Sequence, residues 1–383
     1  MSGPSATTAI STTSFALQDE ISQAIVKALK VRLFPEEKKA IENRGTNNLE
    51  AYDLYLRARA LNADLARTTV ARSIEVYRKA LALDPDFAMA WAGLGNALVT
   101  SLIYQPETAA IVGQEMENAF DRAFRLAPEM PELNANRALL AAVHYDWAAI
   151  ENSLAAVDAS TVDPTGNFSF VLGMLGRAQE AATRSTRARQ ADPLALGASF
   201  NLQFLLDSAG RLDEAEAEYE RSKDLQGERG MIEWRAVTRM WVRGDAARAR
   251  QRFAAAFGGD TTYMAFHPQL LRVLDEPEAV RAILRAAFDD PAYQDGARMA
   301  GLANWAVRYG DNDLALKALR RAFVDLHGLI LIEIWFPMFR ELRRDPRFKD
   351  ILRDLGLVGH WRKTGRWCDF VRPLGDDDFE VVA

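Results

Sequence analysis

The chain has 383 residues, a formal net charge of −6, 49% hydrophobic residues and 26% charged residues, the proportions of a folded protein. The acidic balance argues against a general affinity for nucleic acid or for an anionic membrane surface. A single cysteine, Cys368, precludes an internal disulfide and suits a reducing compartment.

Residues 1–14 are Ser/Thr-rich and lack both a basic n-region and an apolar h-region, so they read as a disordered start rather than a signal peptide. From Phe15 to Leu33, the residues Leu17, Ile21, Ile25, Ala28 and Leu29 recur at helical spacing and predict an amphipathic helix. A charged linker completes the segment 15–47. At Leu49-Glu50-Ala51-Tyr52-Asp53-Leu54-Tyr55-Leu56 a long helical array begins, assigned to 48–325.

Within that array Gly176, Gly210 and Gly244 recur at one fixed interval, and each is followed at the same short distance by an alanine: Ala181, Ala215 and Ala249. A fourth copy, Gly310 with Ala315, starts close to two further intervals on. Glycine supplies the positive φ that a tight helix–helix turn needs, and the small alanine lets the second helix approach the first. A helix with one apolar stripe cannot bury it alone, so such hairpins must stack. Two further stretches share a spacing: Tyr77-x-x-Ala80-x-x-x-x-Pro85 and Phe120-x-x-Ala123-x-x-x-x-Pro128, with Ala188 and Pro193 keeping its second half. After Pro85, Trp91-x-x-Leu94-Gly95 opens the next helix. Together these residues resemble the tetratricopeptide repeat (TPR) family over roughly 48–325. The stretch from Pro131 to Pro164 lacks both the Leu-Gly and the aromatic spacing, and its register stays open.

The longest apolar run, Leu329 to Phe336, is interrupted by Glu333 and is too short to span a bilayer. A soluble cytoplasmic protein without membrane contact is expected. Further on, Asp345-Pro346-Arg347-Phe348 leads into a helix ending at Gly356, followed by His360-Trp361-Arg362 and Trp367-Cys368-Asp369-Phe370. The segment 326–374 is too aromatic for a disordered tail and predicts a cap over the open end of the array. Residues 375–383 read as a frayed acidic tail. The Phe15-x-Leu-Gln-Asp-Glu-Ile segment, the Thr46 to Leu56 entry and the Asp345 to Trp367 tail resemble the C-terminal half of certain bacterial signalling proteins. In those, a TPR region follows a class III adenylate cyclase-like domain or a winged-helix DNA-binding domain. With so short a stretch before the matching helix, the resemblance implies a stand-alone relative or remnant without its effector domain.

Signs of catalysis are weak. His144, His267, His327 and His360 do not pair with each other or with Cys368 at metal-ligand spacing. No nucleophile elbow, phosphate-binding loop or zinc-protease motif occurs, and Asp376-Asp377-Asp378 lacks the alternation of a calcium loop. No catalytic, metal or cofactor residue is assigned, and the chain is expected not to be an enzyme. The TPR resemblance implies that the first helix of each hairpin lines a concave groove for a peptide or protein segment. Phe200, Phe204, Trp234, Thr238, Trp241, Trp305 and Arg308 are the candidates for that groove, aromatics and arginine being favoured in binding hot spots; the alternative is that they form interhelix core. Ala92 stands where a carboxylate clamp beside Asn96 would need lysine, so no such clamp is expected. Arg235, Arg239 and Arg243 recur every four residues and predict a basic, solvated stripe.

The expected fold is thus an all-α, right-handed solenoid of TPR-like hairpins with an N-terminal helix and an aromatic C-terminal cap. Its expected function is non-catalytic, regulatory protein interaction. One alternative is a regulatory half acting on a separate cyclase-like or DNA-binding effector domain. Another is a small-molecule sensor with its pocket inside the solenoid.

Overall fold

A computed structural model describes residues 45–63, 67–104, 109–130, 133–156, 166–193, 196–224, 230–257, 264 and 266–382. The predicted start and helix at 1–33 lie outside them. Among the described residues the fold is all-α, with one short β-hairpin. Sixteen of the described helices follow each other in packed pairs: α1 (Leu49–Ala63) with α2 (Arg67–Leu83), α3 (Ala88–Tyr104) with α4 (Ala109–Leu126), and α5 (Asn134–Val143) with α6 (Trp147–Ala155). Then come α7 (Asn167–Met174) with α8 (Ala178–Ala191), α9 (Leu196–Ser208) with α10 (Leu212–Ser222), and α11 (Gly230–Val242) with α12 (Ala246–Phe257). The last pairs are α13 (His267–Val273) with α14 (Pro277–Asp289), and α15 (Gly296–Arg308) with α16 (Asn312–Arg320). Two helices of the C-terminal segment, α17 (Pro346–Asp354) and α18 (Leu357–Thr364), precede the hairpin β1 (Val371–Leu374) and β2 (Asp378–Val381). No described helix is long and apolar enough to cross a membrane.

The turns show why the chain folds back where it does. Gly176, Gly210, Gly244 and Gly310 take φ of 78°, 72°, 79° and 74°. The residue after each donates its backbone N–H to the carbonyl five positions earlier: Arg177 to Leu172 at 3.0 Å, Arg211 to Leu206 at 2.8 Å, Asp245 to Met240 and Asp311 to Ala306 at 2.9 Å. This closure satisfies the orphan carbonyls at a helix end. The alanines that follow, Ala181, Ala215, Ala249 and Ala315, are all fully buried.

A fifth turn of this kind sits in the stretch whose register the sequence leaves open. Tyr145 takes φ 53°, and Asp146 donates to the Ala141 carbonyl at 2.9 Å. A left-handed tyrosine costs about 1–2 kcal/mol. The ring stacks on Trp147 at 5.0 Å between centroids, and its hydroxyl donates to the Gly328 carbonyl at 2.7 Å, which offsets that strain. The aromatic–alanine spacing also finds its cause. A Cβ at Gly93 would fall 2.5 Å from the Tyr77 ring, and one at Gly95 would fall 2.6 Å from Phe120. Only glycine leaves room there for the ring of the neighbouring helix.

Buried apolar residues form two principal clusters, one spanning Ala51 to Leu139 on α1–α5, the other reaching from Ala135 to Phe379. The second includes the C-terminal segment. After α16 a π-turn over Arg321–Asp325 ends the array, and 3-10 turns at Leu331–Trp335, Pro337–Phe339 and Leu342–Arg344 follow. These turns do not stay at the last hairpin. They run back against α7, α9, α11 and α15, which together form the inner face of the molecule. The final residues differ from the frayed tail expected of them. β1 and β2 pair antiparallel with Arg372 opposite Glu380, and Phe379 is fully buried. Asp378 forms ion pairs with Lys349 at 3.1 Å and with Arg353 at 3.4 Å, and Arg362 donates to its carbonyl at 2.8 Å, so an apolar anchor and these basic side chains hold an otherwise acidic segment in place.

Candidate functional site on the inner face

The seven candidate groove residues divide by burial. Phe204, Trp234, Thr238 and Trp305 lie in the interior, Trp234 and Trp305 at 0% exposure. Phe200 and Trp241 are half-buried, and Arg308 alone is exposed. Trp234, Trp241 and Trp305 come together, with centroid distances of 5.4 Å, 5.5 Å and 4.7 Å among them. Phe200 and Phe204 make a separate pair at 5.0 Å. The Thr238 hydroxyl donates to the Arg235 carbonyl in its own helix, at 2.9 Å. Aromatics expected to line an open groove are therefore mostly interhelix core.

Two coverings account for this. On one side, His267 fits among Trp234, Phe253, Phe257 and Trp305, and accepts a hydrogen bond on Nε2 from the Trp305 indole at 3.2 Å. Burial pushes its pKa down to about 3. On the other side lies the chain's own segment from Ile330 to Phe339. Gly173 on α7 has no side chain, and a Cβ there would collide with Ile332. The Trp335 indole donates to the Met174 carbonyl at 3.4 Å, and the ring stacks on Phe370 at 4.9 Å. Trp361 reaches the Leu175 carbonyl at 3.3 Å, and Trp147 the Leu355 carbonyl at 2.8 Å. Asp369 accepts from the Gln179 amide at 2.8 Å, capping α8, whose own N-cap residue Arg177 makes no side-chain cap.

The basic stripe also differs from expectation. Arg243 is exposed and pairs with Asp213 at 2.6 Å, but Arg235 and Arg239 are buried. Arg239 donates from Nη1 to Asp207 and from Nε to Glu216, both at 3.0 Å. The Arg235 guanidinium lies over Phe336 at 4.5 Å and near Phe204 at 5.6 Å, with its Nη2 3.6 Å from Glu333 Oε1. Asn304 donates to the other Glu333 oxygen at 3.2 Å. Burial raises the pKa of Asp207 and Glu333, against the pull of the neighbouring arginines. Sequence reasoning missed Glu333 and Asn304 as site residues. The signal for Glu333 was the lone carboxylate breaking the apolar run from Leu329 to Phe336.

The described residues contain no group of three His, Cys, Asp or Glu side chains placed to hold a metal ion. Burial pushes the Cys368 thiol up to about 12, far from a reactive thiolate. The inner face thus combines aromatic walls with a small buried set of paired charges. No protein-family model matches the chain. A 91-residue stretch is 35% identical to a protein of Rhizobium meliloti (strain 1021) named "Putative adenylate cyclase 3". That stretch is 24% of this chain and 16% of the relative.

Proposed function

We propose that this chain is a non-catalytic regulatory region of TPR type, a right-handed solenoid that holds a protein partner on surfaces outside its inner face. The observation that carries the reading is the set of glycine-closed hairpins, three of them equally spaced along the chain and each followed by a buried alanine. The magnitude of burial argues against a partner that must lift the covering segment. Ile332, Trp335, Phe336 and Phe339 are each buried, at about 1.5–3 kcal/mol apiece. Lifting them would cost on the order of 10 kcal/mol, enough to cancel a binding constant tighter than micromolar.

The likeness to a protein named as an adenylate cyclase favours a second reading, in which the region acts on a cyclase-like or DNA-binding effector domain carried on another chain. The test uses a photo-crosslinking residue placed in the full chain at exposed Leu56, Ile111 or Arg308, and separately at half-buried Phe200 or Trp241. Adducts with one defined protein are expected from the exposed positions only. A cyclase-like or winged-helix protein in the adduct supports the second reading. Adducts confined to Phe200 and Trp241, or none anywhere, overturn the proposed surface. The purified chain given ATP and Mg2+ or Mn2+ is expected to form no cyclic AMP; measurable turnover overturns the non-catalytic reading.

A further inference from the structure

Arg235 is 1% exposed, yet its Nε, Nη1 and Nη2 make no hydrogen bond to any atom of the described residues. Glu333 supplies charge at 3.6 Å, beyond hydrogen-bond length. The guanidinium carbon lies 4.5 Å from the Phe336 ring centroid and 5.6 Å from that of Phe204, rings that attract the cation but offer its N–H donors no ordinary acceptor. A buried guanidinium left without acceptors is heavily penalised, and a fold that keeps one supplies acceptors from elsewhere.

The groups around it have complementary needs. Asp207 Oδ2 accepts from Arg239, but Asp207 Oδ1 has no partner among the described residues, and neither does Arg239 Nη2. Asn304 Oδ1 is likewise unpaired while its Nδ2 holds Glu333. The unmet set therefore contains both donors, on Arg235 and Arg239, and acceptors, on Asp207 and Asn304. The four buried charged groups, Arg235, Arg239, Asp207 and Glu333, cancel in sign. An occupant with net charge would leave one charge buried and unbalanced, whereas one that is neutral overall and carries both an acceptor and a donor would not.

We infer that this polar interior, between α9, α11, α15 and the Ile330–Phe339 segment, binds a small zwitterion of the free amino-acid class. Its carboxylate takes the edge of Arg235, and its ammonium faces Asp207. The covering segment makes exchange slow, so the molecule is expected to co-purify. The competing occupant is water, which also donates and accepts.

Native mass spectrometry of the full chain as purified, followed by thermal shift and calorimetry with each free amino acid at millimolar concentration, tests the site. One or a few amino acids are expected to raise the melting temperature and bind. The double variant Arg235→Met/Glu333→Leu removes both members of the buried pair together, an exchange that is often neutral for stability. It is expected to keep its helicity while weakening that binding by about tenfold or more, or about 1.4 kcal/mol or more. Asn304→Leu, a milder change, is expected to weaken it less. Three outcomes overturn the assignment. One is that no amino acid binds the wild type. Another is equal binding by the double variant. The third is a crystal structure with only water on Arg235 in the presence of every binding amino acid.

Discussion

His267 is a titratable ring placed where charge is costly. Trp234, Phe253, Phe257 and Trp305 surround it, and burial depresses its pKa to about 3. The unfolded chain takes up a proton near pH 6.5 while the native one does not, so stability falls as pH drops below that value. The slope approaches about 1.4 kcal/mol per unit until the folded pKa is reached. Asp207 and Glu333 act oppositely, because their raised pKa lets the native state hold protons the unfolded state has released, which adds stability as pH falls. A comparison with His267→Phe cancels those contributions. The wild type's advantage over the variant, measured by urea unfolding, is expected to shrink by about 2 kcal/mol between about pH 7 and about pH 5. A constant difference would mean that the ring is charged or hydrated in the native protein. His267→Phe also removes the Trp305 hydrogen bond, but that loss does not vary with pH.

At the scale of the helical hairpin, the glycine turns separate strain from crowding. Gly176 and Gly210 both hold positive φ, at 78° and 72°, and both close the same kind of turn. Around Gly210 nothing lies within 4 Å of an added Cβ, whereas at Gly176 it would fall 2.7 Å from Cys368 Cβ. Gly210→Ala is expected to lose only the backbone term, about 1 kcal/mol. Gly176→Ala should lose clearly more, about 3 kcal/mol or above, because the C-terminal segment must also shift. Equal losses in thermal or urea unfolding would show that the segment does not press on this turn. These turns were legible in the sequence because glycine is the one residue that enters the left-handed region freely, so its spacing records the hairpin spacing. Tyr145 left no such record. It holds the same turn through a hydrogen bond to Gly328, and a residue 183 positions away is not visible in local periodicity.

Across the whole molecule, that same non-locality explains what the sequence could and could not say of the inner face. Helical spacing placed Trp234 and Trp241 on one helix face and Trp305 two pairs on, and the three do meet. What covers them is set by contacts at long range, such as Trp335 on Met174 and Trp361 on Leu175, which no periodic pattern encodes. Arg235 and Arg239 read as a solvated stripe for the same reason: their partner Asp207 sits on another helix, and Glu333 beyond the array. The return of the C-terminal segment also divides the molecule energetically. Residues from Ala135 to Phe379 share one core that includes the segment, while Ala51 to Leu139 share another, and the two overlap at α5. Trp335 is a fully buried side chain of the first, and Trp335→Ala is expected to cost about 3–5 kcal/mol there. Hydrogen exchange under native conditions should therefore accelerate in α6–α16 and the C-terminal segment, with α1–α4 nearly unchanged. If α1–α4 accelerated equally, the two clusters would unfold as one cooperative unit, and the segment would be closing the entire array rather than its C-terminal part.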